Sequence, residues 1–171
     1  ALRKSVQITR ELSVDLSPPV LHDEGLAAAM RWLASQMSQQ QGLAVEVEAK
    51  SGLPQLNEDL RVLLFQTVRE LLFNVVKHAG VTSARVALSQ SDGHLRIDVS
   101  DNGRGFSPVN NGGQGASQSN SQSNSQSSQG LPRIGQRMQL LGGRMEIASA
   151  AEQGTRITLY VPVHVREERN A

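Results

Sequence analysis

RVALSQSDGHLRIDVSD, residues 85–101, consists of two runs of alternating apolar and polar side chains around an Asp-Gly pair. Alternation of period two is the mark of a strand with one dry and one wet face, and Asp-Gly between two such runs is a strong hairpin signal. The same alternation appears in LAVEVEA (43–49), RMEIAS (144–149) and TRITLYVP (155–162). Strands of a parallel sheet covered on both faces read instead as continuous apolar runs. The expected sheet is therefore mixed, has about five strands, and is covered by helices on one face only.

The covering helices are legible on either side of the hairpin. EGLAAAMRWLASQMSQQQ (24–41) has helical periodicity, and Gly42 suits its C-terminal cap. A longer helix starts near Asn57, with Glu58 and Asp59 in its positive first turn, and closes at Gly80. A short helix is expected over 131–141, with Pro132 in its first turn and Gly142-Gly143 behind it. Upstream, Leu2, Val6, Leu12 and Leu16 give a short amphipathic helix that Ser17-Pro18-Pro19 would end. These elements predict an α+β fold, a two-layer sandwich of sheet and helices.

Bulk properties narrow the function. A chain of 171 residues is one domain with a small appendage, and 38% hydrophobic residues suffice for an ordinary core. A net charge of +1 without a basic run argues against nucleic-acid binding. There is no cysteine, which excludes disulfides and thiolate metal sites and fits a reducing compartment such as the cytoplasm. No apolar run approaches the roughly 18 residues that span a bilayer, so direct membrane insertion of this segment is not expected. A helix already under way at Ala1 suggests a piece of something larger.

Polar residues interrupt the apolar pattern at chosen places. In ELLFNVVKHAG (70–80), Glu70, Asn74 and Lys77 recur on one stripe of a largely apolar helix, flanked by His78. In LRIDVSDNGRGF (95–106), Leu95, Ile97 and Val99 share a core face with Asp101, while Asp98 points to solvent. Gly103 and Gly105 follow, permitting sharp turns and close approach of a ligand to the backbone. Thr155 shares the inward parity of Ile157, Leu159 and Val161. Taken singly, each has an ordinary reading: Asp101 as a turn opener, Thr155 as a plain strand residue, the helix stripe as a solvated face. Together they imply a polar pocket between sheet and helices. The tract GGQGASQSNSQSNSQSSQG (112–130) holds no side chain that could drive core formation, and is either a passive insertion or a flexible lid over about 104–130.

These segments resemble a known family. RELLFNVVKHAG resembles the N box of sensor histidine kinases, DNGRGF their first glycine box, GLPRIGQRM the second, and EQGTRITLYVP the closing G-T-x-x-T strand. LSPPVLHDEGLAAAMRWLA resembles the junction after the dimerisation helices in the NarX/DesK-type subfamily. The four-box order is that of the gyrase, histidine kinase and MutL ATPase superfamily, whose Bergerat-type ATP-binding fold is then expected here. The resemblance implies a catalytic domain over 23–165 behind a junction at 1–22. It also implies ATP and Mg²⁺, transfer of the γ-phosphate to a histidine on a dimerisation domain, homodimerisation of the full protein and a response-regulator partner.

Residue by residue, the resemblance makes Asn74 the Mg²⁺ ligand and puts Lys77 and His78 near the phosphates. It makes Asp101 the acceptor of the adenine amine, a carboxylate without a protein partner. Gly103, Gly105, Gly130 and Leu131 wrap the nucleotide, Thr155 lies near the adenine, and Glu70 is the N-box glutamate, catalytic with Lys77. Two departures stand out: Ser128 occupies the position of the first glycine of the second box, and the lid is largely Ser, Gln and Asn. His22 echoes an acceptor motif, but Pro18-Pro19 just upstream make it a junction residue, and His94 after the Asp-Gly turn is expected to be exposed. The alternatives are an anti-sigma-type serine kinase or ATPase of the same superfamily, and a degenerate nucleotide-binding interaction module.

Overall fold

A computed structural model describes residues 18–106 and 130–163. Five strands form one sheet in the order β1-β2-β3-β5-β4. They are β1 (Ala44–Ala49), β2 (Ser83–Ser91), β3 (His94–Asp101), β4 (Arg144–Ser149) and β5 (Thr155–Pro162). Only β1 and β2 run parallel; the other pairs are antiparallel. The mixed sheet expected from the alternation is thus present, and its hairpin turns at Asp92 and Gly93, both at positive φ.

The helices are α1 (Pro19–Asp23), α2 (Leu26–Gln41), α3 (Glu58–Asn74) and α4 (Gly130–Leu140). Asn57 caps α3 through its Oδ1, which accepts from the Leu60 N–H at 2.8 Å. Gly42 ends α2 in the left-handed conformation. Pro19 opens α1, where its missing N–H costs nothing because a first-turn donor has no helical partner anyway. The helix expected over 24–41 is the single element α2, and Gly25 at φ 85° separates it from α1. The amphipathic segment 2–16 and residues 107–129 lie outside the described residues.

The core sits between the layers. Leu21, Met30, Leu33 and Met37 from α1 and α2 join Leu64, Phe65, Val68, Leu71 and Leu72 from α3, all at most 2% exposed. Ile134 and Met138 of α4 seal the far side. From the sheet come Val86, Leu88, Leu95, Ile97, Val99, Leu159 and Val161. Among the described residues Trp32 and Phe65 form a tilted ring pair with centroids 6.1 Å apart. Leu, Val, Ile, Ala and Met supply most of the core, as the scarcity of aromatics requires.

Among the described residues no helix packs on the outer sheet face, and side chains of the strands themselves interact across it. Asp98 does not simply point into solvent, as alternation had suggested. It receives Arg96 through two bonds of 2.8 and 2.9 Å and the Thr158 hydroxyl at 2.7 Å. That network leaves Thr158 only 6% exposed on the wet side. The hydrogen bond to Asp98, and then its charge, raise the Arg96 guanidinium above its usual pKa. Tyr160 lies beneath two guanidinium groups, Arg144 at 3.9 Å and Arg96 at 5.8 Å from its ring centroid. Glu48 pairs with Arg85 nearer the β1 edge.

Two substitutions test this account. Removing the cap with Asn57→Ala should cost about 1 kcal/mol. Gly154→Ala should cost more, above about 2 kcal/mol, because Gly154 is at φ 77° and an added Cβ would collide with the Asp101 carbonyl oxygen. Urea unfolding with an unchanged m-value would measure both; equal losses would contradict the close approach at Gly154.

Candidate functional site

The sheet contributes one inward row. Asp101 ends β3 and pairs with Thr155, the first residue of β5. Thr155 in turn pairs with Ser149, the last residue of β4. A carboxylate and two hydroxyls therefore stand side by side on the helix-facing side, at spacings of roughly 5 Å set by cross-strand geometry. The Ser149 and Thr155 oxygens are 2.9 Å apart. Ser149 also bonds the Gly154 carbonyl at 3.1 Å and accepts the Phe106 N–H at 2.9 Å. Sequence reasoning missed Ser149, although the inward parity of Met145 and Ile147 was there to find it.

Asp101 is not free of protein partners, contrary to expectation. Its Oδ1 accepts the Gly103 N–H at 2.8 Å, an Asx turn that starts the glycine-rich loop. The second carboxylate oxygen carries the remaining acceptor capacity. Gly103 is buried against the end of the long helix, where an added Cβ would strike the Ala79 carbonyl oxygen and lie 2.7 Å from its Cβ. The next N–H, of Arg104, donates to that same Ala79 carbonyl at 2.9 Å. Gly105, at φ 58°, leaves no room for a side chain beneath the Ala150 carbonyl.

The helix contributes the second cluster. Residues Val75–Ala79 after α3 form a π-helical turn, closed by Gly80 in the left-handed conformation. Turns of this kind are rare and concentrate at functional sites. The change of pitch divides the expected stripe. Glu70 and Asn74 are half-buried on α3, whereas Lys77 and His78 are exposed on the wider turn. An added Cβ on Gly130, the first residue of α4, would lie 3.5 Å from Glu70 Oε1 and 3.8 Å from Asn74 Nδ2. Arg137, one face down α4, holds the arrangement from below. It sits 3.8 Å from Glu70 Oε2 and donates to the Thr67 hydroxyl at 3.3 Å. Leu131 is half-buried and packs against the core.

The two clusters approach each other. Ala79, which touches Gly103, is five positions beyond Asn74, so the helix cluster lies roughly 7 Å along the axis from the glycine loop. A cavity of about 590 Å³ borders Asp101 and Asn102, but it opens beside the outer row of Glu46, Arg85, Ser100 and Arg156. Glu70, Asn74 and Thr155 do not line it. His22 stands apart at the junction, paired through Nδ1 with Glu58 at 2.8 Å. His94 is half-buried rather than exposed, and its Nδ1 bonds the Asp92 carbonyl at 2.8 Å.

Comparison with known proteins agrees with this geometry. The family model for histidine kinase-, DNA gyrase B- and HSP90-like ATPases matches residues 59–165. Sensor histidine kinase MctS of Rhizobium johnstonii is 32% identical over 162 residues, covering 95% of this chain and 33% of that protein. Oxygen sensor histidine kinase NreB of Staphylococcus carnosus is 28% identical, covering 95% and 43%. The chain thus spans less than half of these relatives. In fold it is similar to the Erythrobacter litoralis EL346 blue-light activated histidine kinase, with TM-score 0.60, 19% identity and coverage of 81% and 42%. It is also similar in fold to Acinetobacter baumannii histidine kinase AdeS, with TM-score 0.61, 13% identity and coverage of 95% and 82%. The match from residue 59 onward takes in α3, the glycine loop, α4 and the closing strands, and on it the chain belongs to the histidine kinase-, DNA gyrase B- and HSP90-like ATPase family.

Proposed function

We propose that this chain is the ATP-binding catalytic domain of a sensor histidine kinase, passing the γ-phosphate of ATP to a histidine on a dimerisation domain. The observation that carries this reading is the meeting of two clusters at the Ala79–Gly103 contact: an acceptor row on the sheet, and an acid and amide on the helix. The first suits the amine edge of a purine, the second the phosphate end.

In this reading the second oxygen of Asp101 accepts from the adenine amine, with Thr155 beside it. The residues present fit Mg²⁺ by their chemistry, since the Asn74 side-chain amide and the Glu70 carboxylate, whose Nδ2 and Oε1 both lie near Gly130, each carry a hard oxygen donor. Asn74 is the assigned ligand. When bound, the ion neutralises phosphate charge. Lys77 and His78, at the exposed end of the helix, add cationic and donor groups toward the phosphates. Gly103 and Gly105 bring backbone close to the nucleotide, while Gly130 and Leu131 start the helix that borders it. Glu70 acts with Lys77 in orienting the incoming imidazole. Phosphoryl transfer asks little covalent chemistry of the protein, so positioning and charge are the main contributions.

The acceptor histidine belongs to a dimerisation domain, the assembled kinase is a homodimer, and a response regulator takes the phosphoryl group onward in the cytoplasm. Among the described residues no helix is long and apolar enough to cross a membrane. Residues 1–22 are the junction to the dimerisation domain and 23–165 the catalytic domain.

Isothermal titration with Mg²⁺ and a non-hydrolysable ATP analogue tests the first half: saturable micromolar binding supports it, and no heat at millimolar ligand overturns it. Asp101→Ala should weaken binding on the order of 10- to 100-fold, the value of a hydrogen bond to a charged group. Asn74→Ala should retain part of the nucleotide affinity yet lower Mg²⁺-dependent transfer to a separately supplied dimerisation segment, on the order of 100-fold. The transferred label should resist base and be lost in acid; acid-stable label would point instead to a serine kinase.

A further inference from the structure

Ser149 has a complete set of hydrogen bonds. A serine hydroxyl has one proton and two lone pairs. The Phe106 N–H donates to Ser149 Oγ at 2.9 Å and takes one lone pair. The Gly154 carbonyl, 3.1 Å away, is only an acceptor, so the Ser149 proton goes there. The 2.9 Å contact with Thr155 Oγ1 must then run the other way, with Thr155 donating into the second lone pair. Thr155 has now spent its proton, and what it presents to the space beside Asp101 is lone pairs alone.

This fixes the polarity of the base end. A threonine hydroxyl on its own turns to suit either a donor or an acceptor. Held by Ser149, Thr155 is an acceptor beside an acceptor, since Asp101 is its cross-strand neighbour in the β3–β5 ladder. Such a row attracts an exocyclic amine, or the hydrogens of a water bridging to one, and repels a carbonyl. We propose that Ser149 is a positioning residue that sets purine specificity: by holding the Thr155 proton on its own oxygen, it makes the site select a 6-amino purine and reject a 6-oxo purine. The proposal rests on the nucleotide-binding reading above. It further ties base selection to the glycine loop, because the donor that completes the Ser149 set is the backbone of Phe106.

The test compares dissociation constants of non-hydrolysable ATP and GTP analogues, with Mg²⁺, for the wild-type chain, Ser149→Ala and Ser149→Thr. Ser149→Ala releases the Thr155 proton, so the preference for ATP over GTP should fall on the order of tenfold, mainly through tighter GTP binding. Ser149→Thr keeps the hydroxyl and should keep the preference. In a Thr155→Val background, Ser149→Ala should leave the preference unchanged, because there is no proton left to release. Should Ser149→Ala not fold, Ser149→Cys, near in size but a weak partner, should shift the preference in the same direction. Equal weakening of both nucleotides in Ser149→Ala, or the same shift with Thr155 absent, overturns the proposal while leaving ATP binding intact. Failure of the wild-type chain to bind either nucleotide overturns the underlying reading and the proposal with it.

Discussion

The carbonyl oxygen of Ala79 is the point where the two layers become one site. It accepts the Arg104 N–H at 2.9 Å and packs against Gly103, so the last turn of the helical layer is bonded to the loop that leaves β3. Without that contact the inward row on the sheet and the Glu70–Asn74 cluster would be separate polar patches. A side chain larger than hydrogen at 103 would push the loop off the helix. The π-helical turn just before Ala79 contributes to the same end, because a change of pitch over Val75–Ala79 decides where that carbonyl arrives. Helix irregularity and glycine placement are thus two halves of one fit.

Much of this could be read in the residues. Strict alternation in all the strands gave the mixed sheet, its dry face and the inward position of Asp101 and Thr155. The four boxes gave the family. What escaped the sequence is instructive. The pitch change at Val75 has no compositional mark. The short helix that Pro19 opens was not anticipated, because a proline's fixed φ suits a helix start as well as a break. Asp98 was assigned to water by parity alone, but parity fixes the face and not the neighbours: Arg96 and Thr158 enclose it. Ser149 looked like an ordinary strand end because its meaning comes from register, which brings it beside Thr155.

The site shows a division of labour between rigid and adaptable parts. The acceptor row is built on strand ends braced by the ladder, so its spacing is set by the sheet. The acid and amide are on a helix whose inner face is nearly sealed from solvent. Arg137 then links α4 back to α3 through Glu70 and Thr67, so the start of α4 is registered against the same helix that holds Asn74. On the proposed reading, the groups that meet the base and those that meet the phosphates come from different layers.

The parallel pairing of β1 with β2 has a bearing on how the chain reaches this state. The β2–β3 hairpin closes over a two-residue turn, but Ala44 finds its partner Ser83 only after α3 and its flanking loops have been traversed. Closing so long a segment costs entropy that the hairpin never meets, and the cost is recovered only when α3 has docked. The edge strand is therefore a latecomer to the sheet. Until it arrives, the flank of β2 is an open row of amides and carbonyls, and the interval before α3 settles is when a nascent chain is most exposed to pairing with a neighbour.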